Sequence, residues 1–381
     1  MKQAILSILL GISTVLSFAG EIDIQADISA RFFPNANIQA DKNSGSLEFF
    51  VDARRDFDKG RLELELISRF DNSDVGRNVI EPRQAYYNLN FDDVDFFLGF
   101  RQVFWGVAES RNVVDIVNQT DGSANAGNEA KLGAPGVSIE KTFGDFIFQG
   151  FYLSNFRERT FNDQHGHPSN GLSIADAIYE NPNGRNSNDL AFRVSTYFEE
   201  TDVALSYFSG TARTPIFNRS QAQIIIPYYL NQEHVGIEAQ FTGEEWLLKL
   251  EHVGGSRGNE NFSSMIGGFE YTRYGILDST TDLGFIGEYQ YSDAFQSSFQ
   301  DDLVSGLRWV LNDTQNTNIL FLTSVDLEFD EAFYSLSAES RITDSSKLAF
   351  NVKVYNSSES KGPLMAFDDD DEVEIRLSAF F

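Results

Sequence analysis

Charged side chains recur at every second position through much of this sequence, with apolar residues between them. The arginines in such positions are Arg31, Arg54, Arg69, Arg101, Arg193, Arg308, Arg341 and Arg376. The acidic residues in such positions are Asp23, Asp27, Glu48, Asp52, Glu63, Glu65, Glu238, Glu251, Glu339 and Glu374. Groups of both signs on one wet face can form ordinary ion pairs between neighbouring strands, or they can select passing ions by charge.

Motifs for catalysis or cofactor binding do not occur in the sequence, which lacks a phosphate-binding loop, a dinucleotide fingerprint, a zinc-protease helix and a Gly-x-Ser-x-Gly elbow. Asp163, His165 and His167 carry metal-donor atoms, but no third fixed ligand follows, so we interpret them as the polar tip of a loop. The acidic run 368–371 could hold a divalent cation, and we interpret it as solvated. We therefore predict that the protein is not an enzyme and uses no metal or cofactor.

The elements that must position these charges are β-strands. The last stretch, residues 371–381, places apolar residues on one parity, from Val373 to Phe381, and polar residues on the other. Residues 21–33 alternate in the same way. A period of two is typical of an extended strand with one apolar and one wet face. Similar segments along the chain predict about 18 strands.

The composition excludes some classes of protein. The formal net charge of −28 argues against a nucleic-acid partner, because phosphate backbones attract basic surfaces. The 35 Phe and 14 Tyr favour strands with aromatic girdles over helical cores. The mean hydropathy of −0.28 fits a barrel, in which half of each strand faces water.

The first nineteen residues predict an export signal. A short basic start at Met1 and Lys2 precedes an apolar run over residues 4–16 and a small-x-small site at residues 17–19. The run is too short to cross a membrane as a helix. We predict cleavage after Ala19, which leaves residues 20–381 as the folded domain.

The final strand, ending on Phe381, resembles the closing strand of Gram-negative outer-membrane β-barrels. The resemblance implies that the barrel-assembly machinery reads this strand and that it pairs with the first strand. It also implies a location in the cell outer membrane, in contact with the lipid bilayer and lipopolysaccharide. The predicted fold is all-β, a transmembrane antiparallel β-barrel of about 16–18 strands. Closure of the sheet removes exposed edges that invite aggregation.

The predicted connections differ in length between the two ends of the barrel. Short inward turns are predicted at 56–60, 92–95, 144–145, 199–202, 242–245 and 343–346. Long outward connections are predicted at 107–135, 155–188, 211–232 and 357–370. One departure is Asp330-Glu331, which looks like a two-residue hairpin on the outward side. A soluble β-sandwich alternates in the same way but rarely needs so many strands, so the barrel is favoured.

Residues 107–135 break the alternation and form the third predicted outward connection. In position and length they resemble the third outer loop of general porins, which folds back into the channel and narrows it. The preceding residues 100–106, with 115–118, also resemble a stretch of large porins, although Phe100 replaces a Gly and Gln119 replaces a Pro of that pattern. The loop carries an apolar patch that needs a dry surface, and the barrel wall is one option: Val113, Val114, Ile116 and Val117.

We hypothesise that carboxylates of this loop face arginines of the wall and set a transverse field at the narrowest point. The predicted pore-lining and constriction residues are Arg54, Arg69, Arg101, Glu109, Arg111, Asp115, Asp121, Arg193, Arg308 and Arg341. The acidic total predicts a mild preference for cations, which arginines in the lumen could reverse locally. A solvated surface loop is the alternative interpretation.

A barrel of about 18 strands is wide enough to leave an aqueous channel. The resemblance to porins implies passive diffusion of small hydrophilic solutes or ions, and trimers are common among general porins. A channel selective for an anion or a sugar-like solute is one alternative, with Tyr86, Phe97, Trp105 and Tyr197 as stacking partners for sugar rings. A structural or adhesin barrel with a blocked lumen is the other.

Overall fold

The structure, a computed structural model, describes residues 20–36, 41–124, 130–167, 172–219, 224–357 and 362–381. The predicted signal peptide, residues 1–19, lies outside these ranges. Within them, the wall is formed by β1 (Glu21–Phe32), β2 (Asn43–Phe57), β3 (Gly60–Asp71), β4 (Val79–Phe91), β5 (Val94–Arg101), β6 (Ala134–Phe143), β7 (Phe146–Ser154), β8 (Asn188–Phe198), β9 (Thr201–Thr211), β10 (Asn231–Thr242), β11 (Trp246–Arg257), β12 (Glu260–Arg273), β13 (Asp282–Ser292), β14 (Asp301–Val310), β15 (Asn318–Asp326), β16 (Ala332–Thr343), β17 (Ser346–Asn356) and β18 (Glu372–Phe380).

The strands close into one antiparallel barrel of 18 strands. Each strand pairs with the next in sequence, and β18 pairs with β1 from Phe32↔Val373 to Gln25↔Phe380. The predicted fold class, the upper strand number and the pairing of the closing strand with the first are confirmed. Every wall strand therefore has both edges hydrogen-bonded.

The polarity of the two wall faces is the reverse of that in a soluble β-sandwich, because here the polar face is inside and the apolar face is outside. In β1, Asp27, Ser29 and Arg31 point inward and are 3–5% exposed, whereas Ile28 and Phe32 point outward and are 61% and 47% exposed. Alternate residues of a strand point to opposite faces, so this difference follows directly from the sequence pattern. An apolar outer belt of this kind is stable where hydrocarbon covers it. No helix in the described ranges is long and apolar enough to cross a membrane.

The connections at one end, the short-turn end, include 58–59, 92–93, 144–145, 199–200, 243–245 and 344–345. Those at the other end, the long-loop end, include 102–133, 155–187, 212–230 and 357–371. Asp92, Gly144 and Glu199 have φ between 52° and 60°, as tight hairpins with matched twist require. The predicted asymmetry between the ends is confirmed.

Some connections depart from this asymmetry. The turn 258–259 is short although it lies at the long-loop end, and 274–281 and 311–317 are longer although they lie at the short-turn end. The predicted two-residue hairpin at Asp330-Glu331 is wrong, because the connection covers residues 327–331. The Asp326 carboxylate accepts backbone N–H groups from residues 328 and 329, and this local turn ends β15 early.

The remaining elements lie in the connections at both ends. Short strands are Gln119–Asp121, which pairs with Ala130–Leu132, and Ser173–Ile174, Ile178–Tyr179, Ile216–Arg219 and Ile224–Tyr229, which form a small separate sheet. Single 3₁₀ turns are Val75–Arg77, Gly184–Asn186, Ile276–Asp278 and Pro363–Phe367.

Candidate functional site

The connection 102–133, called the lumenal loop below, folds into the barrel. Its Trp105, Val114 and Val117 are each 1% exposed. They form one apolar cluster with inward-facing wall residues of β7, β8, β9 and β11: Phe151, Leu153, Ala191, Phe208 and Val253. The apolar patch predicted for this loop therefore packs against the barrel wall. Residues 125–129 of the loop lie outside the described ranges.

The start of the lumenal loop is shaped by Gly106 and Asn118. Gly106 has φ 121°, a conformation that residues with a side chain rarely adopt, and a Cβ atom there would lie 2.2 Å from Asn112 Oδ1. The Asn118 side-chain oxygen accepts the Val103 N–H at 3.0 Å, and its Nδ2 donates to Asp115 Oδ1 at 3.1 Å. These contacts fold the loop back on itself before it crosses the lumen.

The wall glutamate Glu251, on β11, holds the lumenal loop by its backbone. Its Oε1 accepts the N–H groups of Val107 at 2.6 Å and Ala108 at 2.9 Å. Its Oε2 accepts those of Val113 at 2.8 Å and Val114 at 3.4 Å. Glu251 is 0% exposed. Oriented N–H groups stabilise a buried carboxylate in the way that they bind anions elsewhere.

A second wall glutamate, Glu288 on β13, holds the neighbouring part of the loop. It accepts the N–H of Glu109 at 2.6 Å and of Ser110 at 3.0 Å, and also the Ser110 hydroxyl. Gln290, two residues further along β13, donates to the same hydroxyl at 2.5 Å. The lumenal loop is thus attached to strands on the side of the barrel opposite the strand from which it starts.

The Glu109 side chain makes the ion pair that the sequence hypothesis describes. It lies 2.7 Å from Arg308 and 3.6 Å from Lys249, two wall residues of β14 and β11. Arg308 also lies 3.2 Å from Glu270 of β12. The Glu109 and Arg308 side chains are 24% and 31% exposed, so this group of charges remains in contact with the lumen.

Asp121 makes a second ion pair between loop and wall, and this pair is buried. Its carboxylate lies 2.8 Å from Arg69 of β3, with side-chain exposures of 1% and 2%. Burial opposes ionisation of Asp121, but Arg69 and the hydroxyls of Ser123 and Thr160 outweigh it and hold the pKa of Asp121 at about 2.

Arg69 belongs to a buried cluster of three arginines that the sequence did not indicate. Arg69 lies 3.3 Å from Glu48, and Arg31 and Arg77 both lie within 2.9 Å of Asp71. The Arg77 guanidinium also donates to the backbone carbonyl of residue 123 in the lumenal loop, at 2.5 Å. Burial, with the other two guanidinium groups nearby, lowers the pKa of Arg77 to about 10.

Acidification is expected to release the part of the lumenal loop around Asp121, residues 119–123, only below about pH 4. A carboxyl whose folded pKa lies below its unfolded value stabilises the folded form above that unfolded value, and the contribution is lost as pH falls through the folded pKa. For Asp121 this window runs from 3.8 down to about 2. Hydrogen exchange of residues 119–123, corrected for intrinsic rates, should be constant from neutral pH to about pH 5 and rise below about pH 4. Asp121→Asn should show fast exchange at every pH, and an increase in the native protein already near pH 6 would contradict the assignment.

Two of the predicted arginines pair with neighbours on the wall. Arg54, on β2 near the short-turn end, lies 2.8 Å from Asp52 and its side chain is 42% exposed. Arg101, at the end of β5, lies 3.1 Å from Glu140, with its guanidinium 3.5 Å from the centre of the Phe97 ring. Neither pair involves the lumenal loop.

Two further predicted arginines have different surroundings. Arg193 of β8 donates from Nε to Glu238 of β10 at 2.7 Å, and the pair is largely buried. Arg341 of β16 is exposed near the short-turn end and forms no ion pair within the described ranges.

The other two predicted loop residues, Arg111 and Asp115, contact residues of the connections. Arg111 donates to Ser298 at 2.5 Å and lies over the Phe299 ring at 4.6 Å, both in the connection between β13 and β14. Asp115 lies 3.4 Å from Lys131 of the same loop, and its side chain is 0% exposed. Among the contacts of the described residues, Glu109 and Asp121 are the predicted loop charges that meet wall arginines.

Other sequence interpretations have different outcomes. Trp105 is buried in the apolar cluster, so its predicted stacking on sugar rings is wrong. The role of Glu288 was missed, although its parity in β13 places it on the inner face. Within the described part of the chain, no group of three or more His, Asp or Glu residues could hold a metal ion.

Comparisons with known proteins agree with this architecture. A BenF-like porin from Pseudomonas fluorescens Pf-5 aligns with 94% of this chain and 97% of its own, with a TM-score of 0.58 and 9% sequence identity. A mutant of the Rh. blastica porin aligns over 95% and 99% with a TM-score of 0.46 and 12% identity, which is too distant to carry an argument. No protein-family model and no curated protein matches the sequence.

The fold is therefore that of a bacterial porin: a closed antiparallel barrel of 18 strands with an apolar outside and a polar inside. In this chain the lumenal loop is held through its backbone by Glu251 and Glu288.

Proposed function

We propose that the protein is an outer-membrane porin through which small hydrophilic solutes or ions diffuse passively. The observation that carries the proposal is the placement of the charged residues on the inner face of a closed barrel whose outer face is apolar. Inward charges that stay partly exposed, such as Glu109 and Arg308, are solvated by water, and a water-filled lumen is a route for solutes. The lumenal loop then forms the constriction.

The described contacts support a finer proposal, a preference for cations at the constriction. The loop carboxylates Glu109 and Asp121 pair with wall cations and so neutralise part of the positive charge of the wall. The inner face of the wall also carries more carboxylates than cations. Charged groups at a narrow point select ions by sign. Glu109 is the loop carboxylate that meets wall cations while remaining partly exposed to the lumen, so it is our first candidate for a selectivity residue.

The same proposal includes an export signal that is cleaved after Ala19 and a homotrimeric state. It also includes contact with lipopolysaccharide and recognition of the strand ending at Phe381 by the assembly machinery. The export signal rests on the pattern of residues 1–19, and the other points rest on the sequence resemblance to outer-membrane barrels. The protein is proposed to act as a channel rather than as an enzyme.

Planar-bilayer recording of the purified protein tests the proposed function. Stepwise conductance increases are expected, and liposome swelling with sugars of graded size should show a size cut-off rather than a preference for one sugar. Absence of any conductance would indicate a structural barrel with a blocked lumen. Swelling with one solute class only would indicate the selective channel.

Removal of the Glu109 charge is expected to shift selectivity toward anions. The Glu109→Gln variant leaves Arg308 and Lys249 without their loop partner, whereas Asp115→Asn changes a carboxylate that is enclosed and paired within the loop. Reversal potentials in a salt gradient should therefore move for Glu109→Gln and stay nearly constant for Asp115→Asn. Equal shifts in both variants, or none in either, would remove Glu109 as a selectivity residue.

A further inference from the structure

The part of the lumenal loop around Val117 is held by an arginine that the sequence pattern did not single out. Arg213 lies in the connection 212–230, two residues after β9 ends. Its Nε donates to the backbone carbonyl of Val117 at 3.2 Å. Val117 is 1% exposed and belongs to the apolar cluster. Glu251 and Glu288 accept N–H groups of the loop, so Arg213 supplies the complementary contact, a donor for a loop carbonyl.

The end of the Arg213 guanidinium makes a separate set of contacts. Its Nη1 donates to Asp189 Oδ2 of β8 at 2.7 Å and to the carbonyl oxygen of Thr211 at 2.9 Å. The side chains of this ion pair are 8% and 4% exposed. A Cβ atom at Gly210 of β9 would lie 2.3 Å from Asp189 Oδ1, so the carboxylate occupies space that only a glycine leaves free. The nitrogen that holds the loop is therefore not the nitrogen that neutralises Asp189.

Two phenylalanine rings keep the Arg213 guanidinium in this orientation. Its central carbon lies 5.1 Å from the centre of the Phe208 ring on β9 and 5.4 Å from that of the Phe156 ring in the connection 155–187. Phe208 is 0% and Phe156 is 5% exposed. A guanidinium can lie on such rings and donate from its edge at the same time, because it is planar and its N–H directions are fixed. Packing thus directs the Nε–H group toward the loop.

We propose that Arg213 is a positioning residue for the constriction. The bond from its Nε to Val117 fixes how closely the lumenal loop lies against β8 and β9, and thereby sets the open area of the lumen. The ion pair with Asp189 neutralises a buried charge and does not position the loop. The effect on the open area rests on the proposed function as a channel, whereas the position of the loop does not.

Substitution of Arg213 by two different residues separates the two roles. Arg213→Lys keeps a positive charge for Asp189, but it has a single side-chain nitrogen and cannot also replace the Nε donor to Val117. Arg213→Gln removes the charge as well.

Arg257→Gln is the matched control. Arg257 of β11 donates to the backbone carbonyl of Thr214, the residue that follows Arg213 in the same connection. In the described ranges, Arg257 makes no hydrogen bond to the lumenal loop. Its loss therefore loosens the connection 212–230 without removing a donor from Val117.

Thiol reactivity at position 117 measures the position of the loop. The chain has no native cysteine, so Val117→Cys introduces a single buried thiol. Its reaction with a small water-soluble reagent can be followed by mass spectrometry in lipid-reconstituted barrels. Relative to Val117→Cys alone, adding Arg213→Lys or Arg213→Gln should raise the rate roughly tenfold to hundredfold, because a buried carbonyl loses a charged donor. Adding Arg257→Gln should leave the rate near its starting value.

Thermal unfolding separates positioning of the loop from a contribution to the fold alone. The midpoint should fall for Arg213→Gln, which leaves Asp189 buried without its cation, and stay near the native value for Arg213→Lys. A thiol that is as protected with Arg213→Lys as with the native arginine would overturn the proposal. Equal acceleration by Arg257→Gln would also overturn it. If Arg213→Gln does not fold, Arg213→Lys decides between these outcomes.

Single-channel conductance tests the effect on the open area. Arg213→Lys should increase conductance but leave the reversal potential in a salt gradient near its native value, because Glu109 stays in contact with Arg308 and Glu288. Fast thiol reaction in a barrel that conducts in no variant would support the position of the loop and refute the channel. Fast thiol reaction with native conductance in Arg213→Lys would refute the role in the open area.

Discussion

Arg69→Ala is expected to destabilise the docked lumenal loop by about 3–5 kcal/mol, because it leaves the buried carboxylates of Asp121 and Glu48 without a shared cation. An uncompensated charge in a buried site costs far more than a surface ion pair contributes. Hydrogen exchange at residues 119–123 should accelerate by roughly two to four powers of ten. The fluorescence of Trp105, which is buried with the loop, should shift to longer wavelength.

Arg54→Ala is the matched control. Arg54 is also an inward arginine, and it lies on β2, next to the strand of Arg69, but its side chain is 42% exposed and its partner Asp52 is 36% exposed. Exposed pairs of this kind contribute about 0–1 kcal/mol. Loop exchange should therefore stay near the native value. Equal acceleration in both variants would show that the loop is not held by the buried pair.

Glu251→Gln is expected to release the middle of the lumenal loop and give larger, noisier single-channel currents. A glutamine keeps one acceptor oxygen for two N–H groups and directs its own NH₂ at the other two, so buried donors are left facing donors. Each buried group without a partner costs about 1–3 kcal/mol. The ratio of docked to undocked loop should fall by roughly two powers of ten or more.

Glu238→Gln changes the charge by the same amount at the same depth. Glu238 lies directly opposite Glu251 in the pairing of β10 with β11, is also buried, and contacts Arg193 rather than the loop. Loss of the Glu238 charge should alter ion selectivity, because Arg193 is then left without its partner, but the current noise should stay at the native level. If Glu238→Gln produced the same noise as Glu251→Gln, the carboxylate–backbone contacts would not be what positions the loop.

Glu251 and Glu288 also explain how loop residues 107–114, whose backbone N–H groups have no partner in a neighbouring strand, can lie inside a barrel. Backbone N–H groups that leave a strand need new acceptors, because an unpaired buried donor is costly. The wall supplies two carboxylates on inner positions of β11 and β13, the strands on either side of β12, and the loop supplies the donors. These two carboxylates serve the position of the loop, whereas Glu109 and Arg308 remain partly exposed to the lumen.

Much of the fold could be predicted from the alternation of residues. The number of strands, the inward direction of Arg69 and Glu251, the pairing of the last strand with the first and the difference between the two ends are all confirmed. The exceptions were local: the hairpin at Asp330-Glu331 failed because the Asp326 side chain forms its own turn.

What the sequence by itself determined is the direction of each side chain, since this depends only on position along one strand. Whether a charge is exposed or buried was decided by the tertiary structure. Arg54 and Arg69 occupy equivalent positions in the pattern, yet only Arg69 is covered by the lumenal loop. The contacts of Glu251 and Glu288 with the loop join residues more than 130 positions apart, such as Val107 and Glu251, and their meeting depends on closure of the whole barrel. The alternation of residues along a single strand carries no information about contacts between residues so far apart in sequence.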